Sequence, residues 1–453
     1  MSNVYARSAD SPPRAVRARG SLIWDETGRR YLDGSGGAIV VGVGHGATEV
    51  TDAIAAQLAS VGYVHGSQFT TEAVDSYAAD LATVLPMKDA RIYPVSGGSE
   101  AVETALKLAR SYHLARGEDR PVVIARTGSY HGNSRGALAV SGRPSLREPY
   151  TPWLSGTRFV AAAYEYRCPF PQAHPDGCAA EHARRLADTI DRCGANRVAA
   201  FIAEPIGGAT TGACVPTPDY WPRMARVCRE RGVLLIADEV MTGFGRTGRW
   251  FGCDHFGLRP DIMTLGKGAA SGYWPLGLVA CTGTVHDAQP ANRFVHGFTY
   301  SHHPAGAAAG HAVLRLLRGI LGGVAAKGDR LATALSAGLA DHPHVGDVRG
   351  IGLLQAIELV ADRSSASPFP RRRRVLEQVT RVAADDGMVV YGSTGCANGA
   401  DGDLVLLGPP LVTTQDQLDT MAAKTIRAIT EVLPGDVLQP PQQNATRLSQ
   451  VAL

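Results

Sequence analysis

Lysine stands at only five positions, 88, 107, 267, 327 and 424, so any catalytic amine must be one of these five. One of them has unusual surroundings. In Ile262-Met-Thr-Leu-Gly-Lys267-Gly-Ala-Ala-Ser-Gly, the lysine sits at the mouth of an apolar strand between Gly266 and Gly268. Small neighbours leave room for a planar adduct, and desolvation lowers a lysine pKa and frees its nucleophilic amine. Lys267 is therefore a candidate Schiff-base residue. The structural alternative is a lysine that snorkels to the surface. Val233-Leu-Leu-Ile-Ala-Asp238-Glu239-Val240 is a second candidate. Here an apolar strand ends in two acids, and open α/β sheets bind ligands beyond that edge. A carboxylate there could keep a ring nitrogen protonated, or simply solvate the strand end.

Two further stretches are weaker alone. Gly97-Gly98-Ser99 precedes a helix that Glu100 begins, with Glu103 expected in its first turn. Free N–H groups and the positive dipole end make such a place an anion cradle, although a glycine turn with Ser99 as an ordinary N-cap would look the same. Gly128-Ser-Tyr130-His131-Gly132 offers an aromatic ring that could cover a flat cofactor, or a turn aromatic with no such role. Taken together these are a phosphate cradle, a stacking ring, an acid for a pyridinium nitrogen and a lysine for an aldehyde. Pyridoxal phosphate needs these four things from a protein.

The elements that must hold them alternate. Apolar runs at Val122–Ala125, Ala199–Ala203, Val233–Ala237, Ile262–Leu265 and Leu278–Cys281 read as buried strands. Helical stretches at Glu100–Arg116, Ala180–Cys193 and Pro218–Arg231 intervene, which predicts an α/β domain with a mainly parallel sheet. After about residue 310, long helices near 308–318, 324–340 and 371–386 flank a few short strands, the texture of a second, smaller α+β domain. The first twenty residues read as an arm or loop. The tail from Gly435, which holds a sequon at Asn444-Ala445-Thr446, reads as loosely ordered.

Composition narrows the function classes. A formal net charge of +3 speaks against a nucleic-acid binder, and no apolar run approaches the ~20 residues of a membrane span. The N-terminus lacks the apolar core of a signal peptide, so a cytoplasmic protein is expected. The cysteines at 168, 178, 193, 214, 228, 253, 281 and 396 have no CxxC spacing. They are expected to be reduced, mostly buried thiols, with no metal site.

With these motifs in place, the chain resembles the class III (ω-type) aminotransferases of fold type I, which use pyridoxal 5'-phosphate. The resemblance runs from Trp24-Asp-Glu-x-Gly28-x-x-Tyr31-x-Asp33 to Gly408-Pro409-Pro410-Leu411. Its most specific parts are Asp-Glu-Val-Met-Thr-Gly-Phe-Gly-Arg-Thr-Gly at 238–248 and Thr-Leu-Gly-Lys-Gly at 264–268. It implies an α/β fold with a mainly parallel seven-stranded sheet in a large domain at 65–325. Residues 1–64 and 326–453 would form the smaller α+β domain. It further implies that Lys267 forms the internal aldimine and that Asp238 pairs with the pyridine nitrogen. Val240 would pack behind the ring and Tyr130 in front, with His131 beside it. Gly98 and Ser99 would bind the phosphate, and Glu204 and Met241 would also border the cofactor. Family members are homodimers or dimers of dimers with shared active sites. Gly297-Phe298-Thr299-Tyr300 resembles the loop whose threonine, here Thr299, reaches the partner's phosphate. His302 and His303 follow it and read as loop residues, not metal ligands. The implied reaction is ping-pong transfer of an amino group from an amine donor to a keto acid, with Lys267 as acid and base.

The sequence also departs from the family. Many relatives carry Gln where Met241 stands. Some pair a glutamate five residues after that of Glu-Pro with an arginine upstream of Pro-Pro-Leu, to grip an α-carboxylate. Here Glu204-Pro205 is followed by Ala209 at that place, and Val390-Tyr-Gly-Ser-Thr-Gly-Cys-Ala-Asn-Gly has no arginine. The expected donor is therefore a primary amine, an amino sugar or an ω-amino acid. Arg349 and Arg246 are the candidates for gripping the keto acid. A racemase, epimerase or decarboxylase on the same scaffold is the alternative, because it would keep the same lysine and cofactor. A binding protein with a degenerate site would not retain Lys267, Asp238 and Tyr130 together. A nicotinamide dehydrogenase lacks its GxGxxG.

Overall fold

The apolar runs do form strands in the computed structural model, which describes residues 3–5, 12–154, 156–170, 177–289 and 294–434. Seven of them make one sheet. Its order is Arg91–Val95, Gly277–Cys281, Ile262–Leu265, Leu234–Asp238, Val198–Ala203, Val122–Arg126 and Arg158–Val160. All neighbours run parallel except Gly277–Cys281, which is antiparallel to both of its own. Every residue of the four strands Gly277–Cys281, Ile262–Leu265, Leu234–Asp238 and Val198–Ala203 is buried, as expected where helices cover both faces. Ala101, Ala105, Leu108 and Ala109 form the buried stripe of helix Gly98–Ala115, whose small residues bring it close to one face. Helices Cys178–Cys193 and Tyr220–Glu230 pack together against the other.

Two strands were not foreseen. Arg91–Val95 contains Pro94, which an edge strand tolerates because one of its sides makes no ladder bonds. Arg158–Val160, at the opposite edge, is too short to show a period. Part of the supposed N-terminal arm is also a strand: Ala15–Arg19 pairs with Leu22–Asp25, and that pairs with Arg30–Asp33. Its arginines hid the pattern, since the strand is largely exposed and Arg17 lies 4.1 Å over the Trp24 ring. Arg30–Asp33 in turn pairs in parallel with Met388–Val389. The late part of the chain forms a second sheet, in the order Val345–Ile351, Leu354–Asp362, Asp403–Leu407, Tyr391–Thr394. The long helices there span Pro304–Ile320, Val324–Leu339, Val375–Asp385 and, not among those expected, Gln415–Val432. The tail and its sequon lie outside the described residues. No described helix is long and apolar enough to cross a membrane.

The thiols depart from expectation at one place. Cys168 and Cys178, expected as free thiols, stand in disulfide contact, because the turn Glu165–Arg167 lies beside the start of helix Cys178–Cys193. Their spacing matches no motif, so only the fold brings them together.

A glycine junction ties the late helices to the sheet edge. A Cβ on Gly328 would lie 2.3 Å from the Gly352 carbonyl oxygen, and one on Gly352 would lie 2.4 Å from the Thr247 carbonyl carbon. Backbone cannot yield there. Gly328→Ala is expected to destabilise by about 1–3 kcal/mol through overpacking. Gly319→Ala, at an exposed helical position with open space around it, is expected to stabilise by up to about 1 kcal/mol. Thermal melts of the two variants should shift in opposite directions.

Candidate active site

Four neighbouring parallel strands deliver the predicted residues to one edge. Lys267 follows Ile262–Leu265, Asp238 ends Leu234–Asp238, Glu204 follows Val198–Ala203, and Tyr130 and His131 follow Val122–Arg126. Ligands of parallel sheets bind at this carboxyl edge. Alternation along the chain separates the two adjacent acids. Asp238 turns toward the site, whereas Glu239 is buried in its own loop and accepts hydrogen bonds from the N–H groups of Gly252 (2.9 Å) and Cys253 (2.7 Å).

Asp238 is 3% exposed. One carboxylate oxygen lies 2.6 Å from His131 Nδ1, and the other accepts from the Val240 N–H at 3.0 Å. Burial alone would lower the His131 pKa. The hydrogen bond to Asp238 and the charges of Glu204 and Asp238 outweigh it and hold the ring above its ordinary value. The His131 Nε2 is buried with no hydrogen-bond partner. Glu204 does not face outward as a ligand would. It takes a hydrogen bond from Arg126 Nη2 (3.1 Å) and one from the Tyr130 N–H (3.1 Å), so it sets the backbone that carries Tyr130.

Lys267 is half-buried, and its φ of 41° places a non-glycine residue in the left-handed region. Burial lowers its pKa to about 8; the Arg246 charge acts the same way, while Asp238 and Glu204 oppose it. Val240 packs directly against the cradle, since a Cβ on Gly98 would lie 3.0 Å from Val240 Cγ1 and one on Gly266 3.4 Å from it. Met241 is half-buried and lies against Gly208, in an apolar group that includes Ala209.

The cradle differs in detail from the expectation. Helix Gly98–Ala115 is capped by Gly97 with no side-chain bond, so Ser99 lies inside the helix and is not the N-cap. Its hydroxyl oxygen accepts from the Asn133 N–H at 3.1 Å. The acid of the first turn is Glu100, which accepts from the Ser96 N–H at 2.8 Å. Glu103 lies a turn deeper and holds the Gly136 N–H at 2.6 Å. The result is a helix start with no side-chain cap, whose first N–H groups have no partner within the helix itself.

Both arginines expected to grip a keto acid are committed elsewhere. Arg246 is 4% exposed and donates to the carbonyls of Leu353, Pro409 and Val41. Arg349 is shared among Glu358 (2.9 Å), Asp347 (2.9 Å) and the carbonyls of Gly212 and Thr211. Each joins loops together, and neither is available to a substrate. Another arginine, not singled out from the sequence, lies near Tyr130. Arg143 donates to the Thr394 carbonyl at 3.0 Å and interacts electrostatically with the side chains of Tyr130 and Tyr391. It lines a cavity of about 460 Å³ with Gly128, Thr211 and Asn398. Thr394 to Gly399, the stretch without the family's arginine, forms one wall of that cavity. Thr299 is exposed, and its carbonyl accepts from the Tyr63 hydroxyl at 2.7 Å. His302 packs on Tyr93, and the His303 ring caps helix Pro304–Ile320.

A family model described as aminotransferase class-III matches residues 4–429. An uncharacterized aminotransferase, YodT, of Bacillus subtilis is 35% identical over 432 residues, covering 94% of this chain and 97% of that protein. The crystal structure of an (S)-enantioselective omega-transaminase from Thermomicrobium roseum is similar with a TM-score of 0.89 and 34% identity, over 95% of this chain and 97% of that one. An amine transaminase from an uncultivated Pseudomonas species, in its PLP-bound form, matches with a TM-score of 0.87 and 34% identity, over 96% and 98%.

The lowered pKa gives a direct test. A free Lys267 amine should become reactive as pH rises through about 8, where its neutral form becomes the major one. Pyridoxal phosphate uptake by the apoprotein, followed as the rate of visible-band recovery, should show that midpoint. Lys267→Ala should give no band of this kind.

Proposed function

This chain belongs to the class III aminotransferase family and is a pyridoxal-phosphate-dependent aminotransferase, and we propose that it moves the amino group of a donor without an α-carboxylate to a keto acid that Arg143 binds. The observation that carries this reading is the wall from Thr394 to Gly399, which holds no cation, with Arg143 as the one positive group facing it among the described lining residues apart from the ion-paired Arg167. The two similar structures, an omega-transaminase and an amine transaminase, agree with an amine donor. They do not favour the racemase, epimerase or decarboxylase alternative.

The residues present fit the cofactor. The bare helix start at Gly98 and Ser99 suits a phosphate, and the close approach of Gly98, Gly266 and Val240 suits a flat ring, since a side chain at Gly98 would collide with Val240. When bound, pyridoxal phosphate supplies an aldehyde that condenses with amines and a ring that accepts the electron pair released at the donor carbon. Asp238 holds a proton on the ring nitrogen, and His131, fixed to it at 2.6 Å, keeps that carboxylate oriented. Tyr130 covers the open side of the site. The Lys267 Nζ, lowered to about 8, is partly neutral near pH 7, takes a proton from the donor carbon as a base and returns it as an acid. Arg143 orients the keto acid by its carboxylate.

The exposed Thr299 supports an assembly of at least two chains in which this loop completes a neighbouring site. The buried, unlinked thiols of Cys214, Cys228, Cys253 and Cys281 support a reducing, cytoplasmic setting.

Two measurements test this. Amine donors added singly to the holoenzyme, without keto acid, should bleach its visible band when they are primary amines, amino sugars or ω-amino acids, and a keto acid should restore it. Full activity with ornithine and only weak activity with carboxylate-free amines would overturn the donor assignment. Arg143→Leu should raise the keto acid KM roughly 10- to 100-fold, the loss of one charged hydrogen bond at about 1.5–3 kcal/mol, while the half-reaction with carboxylate-free amines is retained.

A further inference from the structure

Outside the active site, one group of side chains has the chemistry of a metal ligand set. A thiol sulfur each from Cys168 and Cys178 and a ring nitrogen of His182 all lie within 4.8 Å of one another. Cys178 opens helix Cys178–Cys193 and His182 stands four residues on, so both project from one face of it. Cys168 approaches from the end of the turn Glu165–Arg167. His182 is 3% exposed, and its Nε2 is buried with no hydrogen-bond partner. Such an orphaned nitrogen is left without the partner water would have given it, and a metal bond would supply one. The rings of Phe170 and Tyr220 stand edge-on to His182 at 5.2 and 5.6 Å and fix its plane.

We propose that Cys168, Cys178 and His182 bind a zinc ion that clips the turn at Arg167 to the start of helix Cys178–Cys193. Two thiolates and an imidazole are a soft donor set of the kind that selects zinc, and their two negative charges cancel those of the ion. Around a tetrahedral zinc, with bonds of about 2.0–2.3 Å, such ligands stand roughly 3.3–3.8 Å apart, so the two sulfurs, now in contact, must draw apart around the ion while the ring nitrogen, within 4.8 Å of both, stays in reach. A disulfide fits the backbone less well. The Cα atoms are 7.5 Å apart, beyond the usual range of about 4.4–6.8 Å, and a disulfide would leave the His182 nitrogen unsatisfied. Three protein donors leave one zinc position for a further ligand. The clip has a structural consequence. Arg167 and Pro169, on either side of Cys168, line the cavity that holds Arg143, and Arg167 is paired with Glu358. The ion would therefore buttress one wall of the cavity that holds Arg143, which is the substrate's on the function proposed above, without touching the reaction.

The test uses the full-length holoenzyme without a polyhistidine tag. Elemental analysis of protein purified without chelator should find about one zinc per chain, and all eight cysteines should titrate after denaturation without reductant. After chelation, added cobalt should give the thiolate-to-cobalt absorption of a tetrahedral site. Cys168→Ser and Cys178→Ser should each lose zinc and the cobalt signal, while Cys193→Ser, outside the group, keeps both. The cofactor's visible band serves as a check that each variant is folded. Reduced, chelated protein that takes up neither zinc nor cobalt would overturn the proposal. So would freshly isolated protein with six titratable thiols and a Cys168–Cys178 crosslinked peptide.

Discussion

A carboxylate buried at the end of the central strand sets terms that the surrounding structure must meet. Moving such a charge out of water costs several kcal/mol, so Asp238 needs partners at hand before any ligand arrives. It has them in the Val240 N–H and the His131 ring. The His131 backbone is fixed in turn by the Ser141 hydroxyl, which accepts from its N–H at 2.8 Å. Beside it, a second buried pair, Arg126 with Glu204, fixes the peptide of Tyr130. Two ion pairs at the ends of adjacent strands thus orient the groups that meet the cofactor, and neither depends on a flexible surface side chain.

The lysine that faces this carboxylate sits on strained backbone. Phe244, Lys267 and Ser271 all have positive φ, which costs roughly 1–3 kcal/mol per residue unless neighbours enforce it. Packing provides that enforcement. A Cβ on Gly268 would lie 2.9 Å from Phe244 Cβ, and the Ser271 hydroxyl oxygen accepts from the N–H groups of Gly42 and Val43. The segment that carries the amine is therefore held by the N-terminal part of the chain as well as by its own strand.

Much of this was legible in the sequence, and the reasons differ from residue to residue. The strand ends at Asp238 and Lys267 stood out because a long apolar run makes a following charge conspicuous. The parallel sheet followed from alternation of runs and periodic stretches. Arg143 left no trace, because its neighbour Thr394 is some 250 residues away in the chain and no local spacing encodes the meeting; the hydrogen bond spans 251 positions. Arg246 and Arg349 misled for the opposite reason. With 40 arginines in the chain, a local motif cannot tell a guanidinium that greets a substrate from one that ties three carbonyls together. Cys168 and Cys178 were invisible as a pair because their separation of ten positions matches no ligand pattern.

The N-terminal strands find their partner only far along the chain. Arg30–Asp33 pairs with Met388–Val389, and the Ser21 hydroxyl meets that of Thr413 across 392 positions. During synthesis on the ribosome, the first hairpin must therefore wait, its edge open, while the seven-stranded sheet is built behind it. Closing so long a loop adds an entropic cost that pairings between near neighbours in the chain do not carry. The exposed, arginine-rich face of Ala15–Arg19 suits that interval, since an edge strand bearing charge resists pairing with the wrong neighbour.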